Sequence, residues 1–288
     1  MTCLQNSTTQ MRKIDYMNIK IKRFAPYALH ISLLLPYLLL NAVELPIEFH
    51  GRGYLGKYLN SDTIRYNMDA SIDLHCTVAK HENFSFFVSY RDDLDMAEQR
   101  GGVSLDPRYA HYYITGGFDY LSKKFLIAFY FMHDCIHDID YDVEGTPVFN
   151  RLRLQLANAD YHPKNRHCIL PIIKWNIELG YYPHWKYHGW DINAGADYQY
   201  GICLNGIIEL PLLTLLIRRL DYGLTLEPSF HITRGDTCFY HQHVLRLTTY
   251  YAQYPRRRIG VALDYNILNN DPIKSPDKLW LLSIFVAF

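Results

Sequence analysis

Apolar and polar residues alternate along much of this chain with a period of two, which predicts β-strands with two unlike faces. The longest run covers residues 64–78. Its polar positions are Arg65, Asn67, Asp69, Ser71, Asp73, His75 and Thr77. A globular strand usually has about 5–6 residues, whereas a tilted transmembrane strand needs about 9–11. The run therefore indicates a strand that crosses a membrane.

The same alternation returns many times. It is clear in residues 173–181, 191–202, 222–232 and 258–267. Weaker strands are predicted over residues 49–58, 84–91, 112–120, 125–133, 150–158, 207–216, 239–251 and 279–288. A single-chain bacterial barrel has an even number of strands, so this sum of about thirteen contains one error. Residues 49–58 alternate poorly and residues 207–216 contain Pro211. We predict an all-β fold, a transmembrane antiparallel up-and-down β-barrel of about 12 strands.

The composition agrees with such a barrel. Aromatic residues make up 15% of the chain, including 25 Tyr, while the mean hydropathy of −0.15 is too low for a protein of membrane helices. The formal net charge is +0, which excludes the basic surface that a nucleic-acid partner requires. The 6 Cys residues are widely scattered without a CxxC pair, so neither a dense disulfide framework nor a structural zinc site is indicated.

The N-terminal segment has the form of a secretory signal. Lys20, Lys22 and Arg23 precede an apolar stretch over residues 31–40, and a cleavage site is possible at residues 40–42. An uncleaved anchor helix is the alternative, although about ten apolar residues are short for a membrane span. We predict an extension and signal peptide over residues 1–42 and one barrel domain over residues 43–288.

The C-terminus carries a family resemblance. Trp280, Leu282, Ile284 and Val286 alternate up to a terminal Phe288. This pattern resembles the last strand of bacterial outer-membrane β-barrel proteins. The resemblance implies the outer membrane of a Gram-negative bacterium, contact with its lipid and lipopolysaccharide, and recognition of Phe288 by the barrel-assembly machinery. A secreted, soluble β-sandwich that happens to end in Phe is the alternative.

The polar faces of the alternating strands predict the content of the lumen. Charges, glycines and amides on these faces are typical of a wet barrel interior. The charges could fill a narrow barrel with a salt-bridge network, or they could select solutes. The residues predicted to line the lumen are Arg65, Asp69, Asp73, Arg151, Arg153, Lys174, Glu178, Asp197 and Glu227.

One further cluster stands at the end of an apolar strand. His133, Cys135 and His137 alternate with Asp134 and Ile136, so on an extended backbone they project from one side at intervals of about 6.6 Å. Phe125, Ile127, Phe129 and Phe131 share that side, which places the row at the lipid edge. Such a row could share a metal, pair as base and nucleophile, or form only a polar strand end.

The segment from His133 to Cys135 faintly resembles the His-x-Ser of outer-membrane lipid A deacylases. The resemblance implies His133 as the base and Cys135 as the nucleophile, with His137 beside them as a third candidate. This chain departs from the pattern because cysteine replaces serine and no Ser-Asn follows.

Three functions stay open at this stage. The first is a porin-like narrow pore or a barrel that binds small solutes. The second is a lipid-acting, deacylase-like hydrolase built on His133 and Cys135, and the third is a structural barrel without activity. No Gly-rich phosphate loop, GxSxG elbow or HExxH motif occurs, and we expect no cofactor and assign no metal site.

Overall fold

Twelve antiparallel strands close into a barrel in the computed structural model, which describes residues 44–45, 47–97, 106–138, 148–166, 171–183, 200–216, 221–235, 237–253, 257–271 and 276–288. Each strand pairs with the next along the chain, and β1 also pairs with β12. The strands are β1 (Glu48–Leu59), β2 (Met68–His81), β3 (Phe84–Ala97), β4 (Asp106–Leu121), β5 (Phe125–Asp138), β6 (Arg151–Asn158), β7 (Lys174–Tyr181), β8 (Ile202–Leu215), β9 (Asp221–Arg234), β10 (Phe239–Gln253), β11 (Arg257–Asn269) and β12 (Trp280–Ala287). The predicted up-and-down barrel is confirmed.

Twelve of the predicted strands correspond to strands of the closed barrel, and the prediction over residues 191–202 has none of its own among the described residues. Residues 191–199 lie outside the described part of the chain, and Ile202 begins β8. The two stretches with the poorest alternation, 49–58 and 207–216, are both real strands. Pro211 fits within β8 because the pairing with β9 shifts register between Pro211 and Leu213, and a bulge tolerates a residue without a backbone N–H.

Arg65 was wrongly placed in the lumen. The strand β2 begins at Met68 because residues 62–66 form a turn, in which the backbone N–H groups of Arg65 and Tyr66 donate to the carbonyl of Asp62 at 3.0 and 2.7 Å. Arg65 is exposed in this turn, and its guanidinium lies 5.2 Å from the centre of the Tyr66 ring. The apolar–polar alternation begins four residues before β2, so the turn has the sequence pattern of a strand.

The outer surface of the barrel is apolar, as the alternation requires. The exposed fraction reaches 54% at Ile72 and Phe129 and 62% at Ile284, whereas the inward neighbours Ser71 and Ser283 are buried. Large exposed apolar side chains on nearly every strand form the surface that a bilayer covers in a transmembrane barrel. Among the described residues, no helix is long and apolar enough to cross a membrane.

The two ends of the barrel differ. The end at which β1 begins and β12 ends, called the terminal end here, has the tight turns 82–83 and 122–124, while the opposite end has the long connections 139–150 and 182–201. In outer-membrane barrels, short turns face the periplasm and long loops face outward. The connection between β6 and β7 is the long one at the terminal end, and it contains a 3₁₀ turn (Ala159–Tyr161) and the short helix α1 (Pro163–Arg166).

The predicted signal peptide over residues 1–42 lies outside the described residues. The boundary between it and the barrel domain of residues 43–288 therefore stays a prediction.

Candidate functional site

A polar cavity of about 620 Å³ occupies the interior of the barrel. Of the residues predicted to line the lumen, Asp69, Asp73, Arg151, Arg153, Glu178 and Glu227 border this cavity. Lys174 is almost fully buried at the terminal end, and Asp197 lies outside the described residues. Nine carboxylates and six arginines are found among the described residues that line the cavity: Asp69, Asp73, Asp93, Asp119, Asp134, Asp264, Asp271, Glu178, Glu227, Arg52, Arg91, Arg151, Arg153, Arg166 and Arg246.

The first ionic network joins strands β4, β5 and β6 near the outward end. Asp134 of β5 forms an ion pair with Arg151 of β6 and contacts the Nε2 of His111 of β4. Arg151 also donates to the hydroxyl of Tyr182 at 2.9 Å, and the hydroxyl of Tyr113 lies 3.0 Å from the Nδ1 of His111. Asp134 and Arg151 are both buried, so each charge depends on its partners for stabilisation.

A second network begins at Arg153, two residues after Arg151 on the same face of β6. Arg153 donates to Glu178 of β7 at 2.6 Å, and the same carboxylate accepts from Asn176 and Asn205 at 2.9 and 3.1 Å. His231 of β9 contacts Asn205 and extends the network to the next strand. These side chains are linked by hydrogen bonds across four strands, which favours a rigid interior on this side of the barrel.

The opposite wall has its own pairs. Arg246 of β10 binds Asp264 of β11 in a bidentate ion pair at 2.6 and 2.7 Å. Asp69 of β2 accepts hydrogen bonds from Tyr58 and Tyr54 of β1 at 2.9 and 3.3 Å. Cross-strand neighbours on the inner face thus supply most of the contacts, as antiparallel pairing permits.

The connection between β6 and β7 folds into the barrel from the terminal end. Lys174 and Arg258 donate to the backbone carbonyl of Arg166 at 2.7 and 2.8 Å, and the Arg166 guanidinium lies 3.5 Å from Glu227. The Nζ of Lys174 also forms an ion pair with the Oε1 of Glu209 at 3.1 Å. The turn therefore reaches across the interior between β7, β9 and β11 and narrows the lumen there.

Tyr161 is buried in this inward turn, and burial changes the pKa of its hydroxyl. Desolvation of the buried hydroxyl raises the pKa of Tyr161 to about 12. The guanidinium of Arg166 lies 4.3 Å from the centre of the Tyr161 ring. The sequence analysis missed this turn because a 3₁₀ turn followed by four helical residues is too short to show a hydrophobic period.

The row of His133, Cys135 and His137 lies on the outer face of β5. The Nδ1 of His133 is 2.7 Å from the Oδ1 of Asn150, which is fully buried. Cys135 is a free cysteine, 7% exposed, and forms an isolated bridge with Val148. His137 is exposed, and its ring stands edge-on to that of Tyr112 at 5.2 Å between centres.

This arrangement bears differently on the two chemical interpretations. A cysteine, a histidine and an asparagine that orients the histidine are the components of a Cys-His-Asn catalytic site. The histidine and the asparagine are in hydrogen-bond contact here. Asn150 was not foreseen, because its contact with His133 depends on the pairing register of β5 with β6.

A metal held jointly by the three members of the row is not supported. Among the described residues, three metal-binding side chains come within 4.8 Å of one another at one place, formed by His75, Asp119 and His162. Regular spacing along one strand puts the first and third members of the row about 13 Å apart at their Cα atoms, too far for all three to share one ion.

Comparisons with known proteins found similar solved structures but no matching sequence. No protein-family model and no curated protein sequence matches the chain. The outer membrane phospholipase OMPLA of Salmonella typhi, solved as a dimer with bound calcium, is 12% identical with a TM-score of 0.47, covering 84% of this chain and 90% of its own. The NanC porin is 10% identical with a TM-score of 0.47, at 84% and 99% coverage.

LpxR from Salmonella typhimurium is a further similar structure. It is 7% identical with a TM-score of 0.44 and covers 84% of this chain and 99% of its own. At these values the likeness extends to the barrel architecture and not to an activity. A closed barrel of twelve antiparallel strands with an apolar exterior and a polar interior is the architecture of outer-membrane β-barrels.

Proposed function

We propose that this chain is an outer-membrane β-barrel whose lumen binds and slowly passes small polar solutes, cations in preference to anions. The observation behind this proposal is the charge of the cavity wall. Nine carboxylates against six arginines leave three formal negative charges in excess, with histidines neutral, among the described lining residues. A low-dielectric channel wall of one net sign concentrates ions of the opposite sign.

The pairing of the arginines strengthens this argument. Five of the six are matched with carboxylates, as Arg91 with Asp93, Arg151 with Asp134, Arg153 with Glu178, Arg166 with Glu227, and Arg246 with Asp264. Each pair largely cancels its own field, so the net field is negative. A cavity of this volume falls within the range of about 300–1,000 Å³ that is usual for small-molecule sites.

The inward turn limits the rate of passage. Its backbone is held from the wall by Lys174 and Arg258, so the narrow terminal end does not offer a wide aqueous channel. We therefore expect a conductance well below that of a general porin.

Conductance in planar bilayers under a KCl gradient tests the proposal. The folded protein should give small, cation-selective currents. Asp73→Asn, which removes a charge from the cavity wall, should reduce the selectivity, whereas Asp62→Asn in the exposed β1–β2 turn should leave it unchanged. Anion selectivity would contradict the proposal, as would the absence of both current and binding of small organic cations.

A second function is favoured by one observation, the hydrogen bond between His133 and Asn150. We propose as the alternative that His133 and Cys135 hydrolyse acyl esters of membrane lipids. The Oδ1 of Asn150 accepts the Nδ1 proton of His133, which leaves the Nε2 lone pair to act as a base. The row faces outward at the end of an apolar strand, where lipid acyl chains and head groups are in reach.

The reaction then has two balanced steps. His133 takes the thiol proton of Cys135, and the sulfur attacks the ester carbonyl carbon. The C–O bond breaks and the leaving alcohol receives the proton from His133. Water, deprotonated by His133, next attacks the thioester, which releases the fatty acid and returns the proton to the sulfur.

Release of fatty acid from lipopolysaccharide and from phospholipid vesicles tests this alternative. Cys135→Ala should abolish release and Asn150→Ala should reduce it. Cys76→Ala, on the outer face of β2, is the matched control and should retain activity. No release by the folded wild-type protein would eliminate the hydrolase. If conductance is absent as well, only a structural barrel remains.

A further inference from the structure

Three potential metal ligands from three different elements meet inside the barrel. They are His75 of β2, Asp119 of β4 and His162, which links the 3₁₀ turn to α1. One donor atom from each lies within 4.8 Å of the others, and the Nε2 of His162 is 3.6 Å from the Oδ2 of Asp119. The rings of His75 and His162 stand edge-on, with 6.1 Å between their centres.

The hydrogen bonding of these groups is incomplete. Asp119 is 3% exposed, yet neither of its carboxylate oxygens has a hydrogen-bond partner within the described structure, and the same holds for the buried Nε2 of His75. His162 is itself only 5% exposed. A buried carboxylate normally accepts several hydrogen bonds, and one without them indicates an ion or a water at that place. One donor atom of each of the three residues reaches the same small volume.

We propose that His75, Asp119 and His162 bind one divalent transition-metal ion, and that this ion fastens the inward turn to the barrel wall. Two imidazoles and one carboxylate suit Zn²⁺ or Fe²⁺ better than the oxygen-seeking Ca²⁺ or Mg²⁺. With three protein ligands, at least one coordination position is left for water. Neither the negative lumen nor the hydrolase is required for this proposal.

The three donor atoms must move closer together to bind one ion. Zinc–nitrogen and zinc–oxygen bonds of about 2.0–2.2 Å place tetrahedral donor atoms about 3.4 Å apart, so the donors must approach from their present separation of up to 4.8 Å. Rotation of the two imidazole rings about their side-chain bonds provides this movement.

Metal binding also replaces one hydrogen bond of the His162 ring. Its Nδ1 accepts a hydrogen bond from the backbone N–H of Lys164 at 3.2 Å, which is the long end of the usual range. Metal binding at Nε2 moves the ring proton to Nδ1 and ends this bond, so a weak contact is replaced by a stronger coordinate bond.

The proposed site connects the turn to strands other than those of Lys174 and Arg258. Lys174 and Arg258 hold the carbonyl of Arg166 from the side of β7 and β11. His75 and Asp119 belong to β2 and β4, elsewhere around the closed barrel. An ion bound to His162 would fix the other part of the turn and make it a rigid constriction.

Titration with Co²⁺, which gives visible absorption bands on nitrogen and oxygen coordination, tests the site in the full chain folded in lipid vesicles and freed of metal by a chelator. The wild-type protein should bind one Co²⁺ that Zn²⁺ displaces. Asp119→Asn and His162→Gln should each weaken the affinity by at least tenfold, since even loss of a group that only orients a ligand costs about 10–100-fold. His231→Gln, a lumen histidine in the Glu178 network, is the control and should bind normally.

Hydrogen exchange measures the fastening itself. The amides of Asn165 and Arg166, which donate to the carbonyl of His162 at 2.8 Å, should exchange more slowly with Zn²⁺ in the wild type but not in His162→Gln. No metal bound by the folded wild type would overturn the proposal. Binding that is equal in all variants would overturn it too, because the ion would then lie elsewhere. A bound ion without change in exchange would remove the fastening role.

Discussion

The two faces of β5 and β6 differ sharply although their residues alternate in the sequence. On the inner face, Asp134 and Arg151 form a buried ion pair that two further side chains complete. On the outer face, exposed phenylalanines give way to His133 and its contact with Asn150. Adjacent positions on one strand thus belong to two environments, a crowded polar interior and a lipid-facing exterior.

This contrast separates structural polarity from candidate chemistry. Inner charges are numerous because they need one another in a narrow space of low dielectric constant, so most of them are explained by packing. Outer polar groups have no such requirement and occur where the apolar belt ends. A polar contact there is more informative about function than an ion pair in the lumen.

Breaking the inner pair should have the largest effect. Arg151→Ala leaves the carboxylate of Asp134 buried without its main counter-charge, and we expect a loss of about 3–5 kcal/mol in the free energy of unfolding. Urea unfolding in lipid vesicles, followed by tryptophan fluorescence, measures it.

Arg91→Ala is the matched control for the inner pair. Its guanidinium pairs with Asp93 but is 50% exposed, so the loss should stay near 1 kcal/mol or below, about the value of a solvated pair. Equal losses for Arg151→Ala and Arg91→Ala would mean that the buried ion pair is hydrated as well as the more exposed pair in the same lumen.

A charge on the outer face should have the next largest effect. Phe129→Arg places a cation on the lipid side of β5 and should cost about 2–4 kcal/mol if Phe129 lies near the middle of the bilayer. Phe125→Arg, at the end of the same strand and on the same face, should cost about 0–1 kcal/mol. Equal losses in the free energy of unfolding at the two positions would argue that β5 does not cross the membrane.

The smallest effect on stability is expected at the C-terminus. Phe288→Ala should change the free energy of unfolding by less than about 1 kcal/mol, because the side chain is 48% exposed. It should nevertheless slow assembly in cells and prolong protease sensitivity, if the barrel-assembly machinery reads this residue. Val286→Ala, at 49% exposure, is the comparison and should assemble at the normal rate. Normal assembly of Phe288→Ala would remove the proposed role of the terminal aromatic residue.

The sequence by itself determined the fold class and which face of most strands points into the barrel. Alternation is local, since successive side chains point to opposite sides of any strand, and a lipid face tolerates few charges. Asp69, Asp73, Arg153 and Glu178 were therefore predicted for the lumen from single strands, and all four border the interior cavity. The same local rule failed at Arg65, because alternation does not show where a strand begins or ends.

Only the tertiary structure decided which side chains meet. His133 reaches Asn150 through the register between two strands, and His75, Asp119 and His162 come together from two strands and an inward-folded turn. These contacts join residues distant in the sequence, and their formation depends on how the barrel closes and where the turn folds. Hydrophobic periodicity carries no information on either, because it specifies the face of a residue and not its partner.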